Sequence, residues 1–210
     1  MKFVGVDVCD DGNRPAMSKH ELVKQWPAFV TVRDVSSFVG FVIFYANWIP
    51  LFAQRISPLR SIITKSMDDN IGALTDEQSA ARTDMISAIC DDPVIARYDY
   101  TKRPYLLTDF SKKGFGYVIC QPGDDPDSLA AMRREIAGGD CEFLRKGSNL
   151  VLRTTGFGSR ASKGREQFLH SHIGEAVALD WAINKCRGKL WGIRFSSLTD
   201  CYALRFLFVG

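Results

Sequence analysis

The stretch YLLTDFSKKGFGYVICQ, residues 105–121, decides how the rest of the chain is read. Tyr105, Leu106 and Leu107 form an apolar run that delivers Asp109 to the edge of a strand. A Ser-Lys-Lys-Gly turn follows, and Phe115 to Cys120 reads as the returning strand. The unit is a hairpin with a carboxylate at its mouth. A carboxylate at the end of a buried strand is costly to desolvate unless it meets a cation or hydrogen-bond donors, so the flanking sequence must supply a partner.

Toward the C-terminus, Pro122 to Asp127 is a solvated loop, Leu129 to Ala137 a short helix, and Gly138-Gly139 its break; residues 122–149 together read as an insertion at a sheet edge. Leu150 to Ser159 is a third strand, weakened by Gly156 and Gly158. Ser171 to Arg187 has the spacing of a long helix with Ala176, Leu179, Ala182, Ile183 and Cys186 on one face. At 100° per residue Glu175 falls on that apolar face. Ile193 to Thr199 is a strand ending at Asp200, and Tyr202 to Phe208 begins another helix.

Asp109, Glu175 and Asp200 therefore share one description, two at strand ends and one on the sheet-facing side of a helix. In α/β sheets functional groups converge at the carboxyl ends of strands. Ionised carboxylates crowd together only around a cation, and Mg²⁺ accepts such oxygens. Two ions about 4 Å apart can activate a water and stabilise the leaving oxygen of a phosphodiester. Taken singly, an Asp at a strand end is usually a turn cap, a Glu on an apolar helix face can be misassigned by half a turn, and the three positions form no motif by spacing.

Toward the N-terminus, Phe3 to Val8 is a short strand and Asp11-Gly12-Asn13 a turn, so the chain opens on a hairpin or strand-turn element. Ser18, with Glu21 three residues on, is the expected N-cap of a helix that stops at Pro27. Val32 to Phe52 is the most apolar helix, with Val35, Phe38, Val39, Val42, Ile43, Ala46 and Ile49 at three- and four-residue intervals and Asp34 as its expected N-cap. Its many aromatics suit a helix packed all round. A third helix spans Pro58 to Lys65, Ser66 to Ala73 is a polar linker, and Thr75 with Gln78 forms a capping box for a helix ending near Cys90.

Composition narrows the classes. The 46% hydrophobic and 24% charged fractions are those of a soluble globular protein, and a net charge of +3 names no partner. Six cysteines without a C-x-x-C pair suggest neither zinc knuckle nor redox motif, and reduced thiols point to a cytoplasmic or nuclear setting. The N-terminus meets an acidic cluster within ten residues, unlike a secretory signal. Val35 to Ala53 is nearly uncharged over a bilayer's length, but Ser36, Ser37, Asn47 and Pro50 favour a buried helix, so no membrane partner is expected.

Four motifs in order resemble the polymerase-to-ribonuclease-H region of a gypsy-type long-terminal-repeat retrotransposon polyprotein, over nearly the whole chain. SFVGFVIFYANWIPLFAQRISPLR (37–60) resembles its thumb signature, and residues 89–121 resemble its "APVL … PD … KPF … TDAS … GxGAVLxQ" run. GSRASKGREQF and HIGEAVALDWAINKCRGKLWGIRFSSLTDCYAL resemble its "SRKL … E … Y" and "EALAVVWALxKFRxYLxGxxFxxxTDHxAL" runs.

The resemblance implies an α/β (α+β) chain: a small helical palm-thumb remnant over 1–66, a connecting helix over 67–92, and an RNase H-like mixed sheet with flanking helices over 93–210, incomplete at its C-terminus. It carries the family's metal-binding and catalytic carboxylates onto Asp109, Glu175 and Asp200, with Mg²⁺, or Mn²⁺, as cofactor. It implies an RNA–DNA hybrid or primer-template duplex as partner. Phe3-Val4-Gly5 resembles the primer-grip hairpin, and Lys19, Lys24, Arg33, Arg55, Arg60 and Lys65 become candidates for phosphate contacts.

The departures matter too. The Tyr-x-Asp-Asp polymerase motif is absent, Cys201 replaces the family's His, and CYALRFLFVG after Asp200 offers no fourth carboxylate. Exposed Phe206, Leu207 and Phe208 would then lower stability. Two readings remain open: a retrotransposon-derived fragment whose ancestral chemistry is metal-dependent cleavage of RNA in a hybrid, and a catalytically inactive remnant that binds nucleic acid.

Overall fold

Gly5, at φ +79°, breaks what the sequence shows as one strand into two. β1 (Lys2–Phe3), β2 (Val6–Cys9) and β3 (Gly12–Pro15) form an antiparallel three-stranded sheet whose second turn is at Asp10-Asp11, one step before the expected Asp11-Gly12-Asn13. A computed structural model of the chain describes residues 2–3, 5–91, 93–199 and 201. Asp200 and the expected helix from Tyr202, with Phe206, Leu207 and Phe208, lie outside the described residues.

Helix α1 (Met17–Lys24) starts before Ser18. Lys19 N already donates to the Ala16 carbonyl at 2.8 Å, so Ser18 lies inside the first turn and caps nothing. Helix α2 (Val32–Phe44) is capped by Thr31, and Asp34 is the third residue of a capping box whose Oδ2 accepts from Thr31 N at 2.8 Å. The backbone N–H groups of Thr31 and Val30 hold the Asp34 carboxyl below its usual range.

The long apolar run does not stay helical to Phe52. Pro50 removes a donor and crowds the preceding turn, so the chain passes through a 3-10 turn at Ala46–Trp48 and a left-handed Leu51, φ +53°, before the short α3 (Phe52–Arg55) and α4 (Ser57–Arg60). Nor is α2 packed all round: Val32, Val35, Phe38, Val39 and Val42 are buried, whereas Ile43 and Phe44 are about half exposed. The expected helix from Pro58 to Lys65 divides into α4 and a 3-10 turn at Ser61–Thr64. The polar stretch after it is pinned, with Val32 N donating to Asp69 O and Ile71 N to Val30 O.

Helix α5 (Asp76–Cys90) carries the expected Thr75–Gln78 capping box and lends Ala81, Met85 and Ile89 to one core with α2, α3 and α4. Arg55 clamps it: Nε and Nη2 donate to the two Asp84 oxygens, each at 2.7 Å. Among the described residues no helix is long and apolar enough to cross a membrane.

The hairpin forms as the sequence predicts. β4 (Tyr105–Ser111) and β5 (Gly114–Pro122) are antiparallel, with Asp109 opposite Gly116 and Phe110 opposite Phe115. β6 (Leu152–Ala161) adds to β5, and β7 (Ser196–Leu198) runs parallel to β4, giving the order β6-β5-β4-β7. A parallel neighbour needs a crossover, supplied by α7 (Ser171–Lys185) and α8 (Arg187–Leu190). Side chains alternate along β4, so Leu106 joins Leu179, Ala182 and Cys186 in a second core.

Tyr105 faces the other way. Its hydroxyl donates to Glu135 Oε2 at 2.7 Å from α6 (Pro126–Ile136), and Ser196 Oγ donates to Glu135 Oε1 at 2.6 Å. Residues 122–149 are therefore not an insertion at a sheet edge: α6 covers the sheet face opposite α7, because Ala131 and Met132 bury against it.

Candidate functional site

Strand β4 carries Asp109 as an exposed residue near its C-terminal end. Helix α7 brings Glu175 to the same strand. The Glu175 side chain is buried, 5% exposed, and its Oε1 accepts from Phe110 N at 3.2 Å. Among the described residues the register between β4 and β7 runs to Leu107–Leu198, and Phe110 lies beyond it, so the carboxylate takes up a strand N–H past the stretch paired with β7. The i+3/i+4 pattern that put Glu175 on the apolar face is thus correct, and the backbone is what it meets there.

A tight fit sets the approach of α7. A Cβ at Gly174 would sit 2.2 Å from the Phe110 ring, so the helix passes over β4 only because residue 174 has none. Phe110 and Phe115 stack at 5.2 Å between ring centres, and Arg160 lies 4.0 Å over Phe115 and 5.5 Å from Trp181 of α7. Arg160 is itself held by Glu166, with paired bonds of 2.6 and 2.8 Å. That guanidinium, with the Lys163 N–H, pulls the Glu166 carboxyl down to about 2.

On Asp109's own face the N-terminal unit closes in. Gly116, directly opposite Asp109, would meet Leu51 Cδ2 at 2.4 Å if it carried a Cβ. Ala53 N donates to Ser159 Oγ at 2.8 Å, and Gln54 Nε2 to Gly114 O at 3.1 Å.

Of the three carboxylates, Asp109 and Glu175 come to adjacent positions of one strand; Asp200 lies outside the described residues. Its neighbours are described: Leu198 pairs with Leu107, and the buried Cys201 has its Sγ 3.3 Å from His172 Nδ1 in the first turn of α7. Among the described residues no group of three or more His, Cys, Asp and Glu converges as for a metal. Asp109 and Glu175, which reach adjacent positions of β4, are both carboxylates and so suit a hard divalent ion in kind.

The six cations divide. Arg33 pairs with Asp68 at 2.6 Å, Lys24 with Glu21 at 3.6 Å, and the Arg55 fork is taken by Asp84. Lys19 is partly buried, and Arg60 and Lys65 are exposed. Sequence reasoning missed the Phe110 N–H, because a backbone donor leaves no mark in composition. It also missed Gly174, whose partner ring lies 64 residues away.

Residues 99–210 match the family described as "RNase H-like domain found in reverse transcriptase". The transposon Tf2-3 polyprotein of Schizosaccharomyces pombe (strain 972 / ATCC 24843) is 27% identical over 125 residues, 60% of this chain and 9% of that polyprotein. This chain thus spans about a tenth of the length of that relative. Among solved structures, a foamy viral protease-reverse transcriptase in complex with double-stranded DNA superposes with a TM-score of 0.72 at 16% identity, over 99% of this chain and 38% of that one. Another, in complex with an RNA/DNA hybrid, gives 0.69 at 16% identity, over 95% and 23%. The mixed sheet with flanking helices is therefore the RNase H-like fold, and this chain belongs to the family of RNase H-like domains found in reverse transcriptases.

Proposed function

We propose that this chain cleaves the RNA strand of an RNA–DNA hybrid, with Asp109, Glu175 and Asp200 holding Mg²⁺ or Mn²⁺. The observation that carries the reading is the delivery of a buried carboxylate, Glu175, to the backbone beside the exposed Asp109. Including Asp200 is supported by its neighbours, Leu198 beside Leu107 and Cys201 against His172. RNase H-like domains generally use divalent metals, which supply water activation and stabilisation of the leaving oxygen. The chain's own part is positional: the Phe110 N–H holds Glu175 in one orientation, the β4–β5 ladder holds Asp109, and a 3-10 turn at Gly164–Phe168, locked by the Arg160–Glu166 pair, leads into the start of α7.

Partners of this class are supported by the solved relatives, bound to double-stranded DNA and to an RNA/DNA hybrid. Arg60, Lys65 and Lys19, which form no ion pair among the described residues, are the first candidates for the duplex backbone; Lys24, Arg33 and Arg55 would first have to leave their carboxylates. One observation favours binding without cleavage. Where the family's run has Ala after its Asp, this chain has Phe110, a ring wedged under α7 next to the carboxylates.

Purified chain incubated with an end-labelled hybrid should release shortened RNA in Mg²⁺ or Mn²⁺, stop on chelation, and lose activity in Asp109→Asn and Glu175→Gln. RNA products no greater than those of Asp109→Asn would sink cleavage, and retained gel-shift binding would then favour the second reading.

A further inference from the structure

A cavity of about 400 Å³ opens where the N-terminal unit meets β6 and the end of α7, lined by Asn13, Asn47, Trp48, Phe157, Lys185 and Lys189 among others. Lys185 is ten residues beyond Glu175 on one helix, about 15 Å along its axis, so this is not the carboxylate site.

Lys189 is the feature that needs explaining. Its ammonium donates to Thr155 O at 2.7 Å and lies 5.3 Å from the centre of the Tyr98 ring. An ammonium has three donors, and among the described residues Thr155 O is its hydrogen-bond partner, with no carboxylate in ion-pair range of Lys189 or Lys185. A half-buried cation without a counter-ion is costly, and burial lowers the proton affinity of Lys189 accordingly. The space it occupies is made by Gly156, where a Cβ would come to 3.1 Å from Nζ. An anion in the cavity would supply the missing counter-charge.

The rest of the lining selects the kind of anion. Trp48 is fixed by its indole N–H, which donates to Asn13 O at 3.0 Å, and Trp48 and Phe157 are both lining residues of the cavity. Aromatic faces accept bases by stacking without regard to sequence. The exposed Asn13 and Asn47 amides each offer donors and an acceptor, as base edges do. The volume is within the usual range for small-ligand sites, about 300–1,000 Å³.

We propose that this cavity binds a single nucleotide unit, its phosphate on Lys185 and Lys189 and its base on the Trp48 ring. The unit comes either from a free nucleotide or from a nucleic-acid strand. The site uses none of the carboxylates, so absence of hybrid cleavage leaves it standing.

The full chain, in EDTA, is titrated with AMP by calorimetry and with a short labelled DNA single strand by fluorescence anisotropy. Saturable binding of either is expected, weakened about tenfold by Lys185→Glu and by Lys189→Met through loss of a charge-assisted bond. Lys146→Glu, a matched change on an exposed loop, should shift it less than twofold. Lys185 is exposed at a helix end, so its variant tests the site even if Lys189→Met fails to fold. Binding of AMP alone assigns a free nucleotide, and binding of the strand alone assigns nucleic acid. The proposal is overturned if neither binds, if Lys185→Glu leaves both affinities unmoved, or if Lys146→Glu weakens them as much.

Discussion

Gly174 and Phe110 are fitted to one another, and the fit bears on the site because Glu175 is the next residue of the helix. A methyl group at 174 would overlap the Phe110 ring at 2.2 Å. Alanine is the better helix former by about 1 kcal/mol, but overpacking a buried contact costs about 1–3 kcal/mol, so the clash wins. Gly174→Ala should lower the denaturant midpoint by an amount equivalent to about 1 kcal/mol, and Phe110→Ala in the same chain should cancel that clash. A Gly174→Ala chain as stable as the parent would show that α7 can lift from β4 without cost. The pairing also explains how a bulky ring is accommodated where the family's run has Ala.

At the scale of elements, the turn between β6 and α7 depends on one ion pair. Arg160 is held between the rings of Phe115 and Trp181 and the carboxylate of Glu166, whose Oε2 also accepts from Lys163 N at 2.8 Å. The Arg160 bonds, then the Lys163 N–H, depress Glu166 from 4.5 to about 2. A depressed carboxylate contributes stability that is fully present above its unfolded value and is lost as pH falls through its folded one. The contribution should therefore be intact above about pH 5 and fade between about pH 4.5 and 2. Thermal melts of the parent and Glu166→Gln should differ at pH 6 and converge toward pH 2.5; a gap independent of pH would remove the ion pair as its cause.

At the scale of the molecule, two cores are joined by a small set of polar and close contacts. Leu51, in a left-handed conformation that L residues seldom adopt, seats its side chain over Gly116, and the Ala53 N–H and Gln54 amide bond to β6 and β5. Ser159→Ala leaves the partly buried Ala53 N–H without its acceptor, at a cost of about 1–2 kcal/mol. Since the bond links the two cores, the loss should also separate their unfolding. Melts followed by aromatic near-ultraviolet signals and by hydrogen exchange of α2 and β5 amides should diverge in Ser159→Ala and coincide in the parent. Coincident transitions in the variant would mean that the apolar seating of Leu51 suffices.

The RNase H-like sheet was legible because its signals are local: an apolar run opening β4, a Ser-Lys-Lys-Gly turn, an apolar return along β5, and a 3.6-residue period that carried Glu175 inward. The capping box at Thr75 was legible for the same reason, while the cap at Ser18 was misread because Met17 could enter the helix first. The long run from Val32 misled because apolar periodicity continues through Pro50, although the helix cannot. Residues 122–149 read as an insertion because nothing local shows that Glu135 will meet Tyr105 and Ser196 from distant strands.

The sequence by itself determined the family, the order of the motifs and which carboxylates to watch, since these reside in residue type and short spacing. Only the tertiary structure decided that Glu175 rests on the Phe110 N–H, that Gly174 admits Phe110, and that Lys189 sits beside a cavity with no counter-ion among the described residues. Each of these is a contact between residues far apart in the chain. Such contacts are set by how the helices and strands pack, and packing leaves no period in the sequence for a local reading to find.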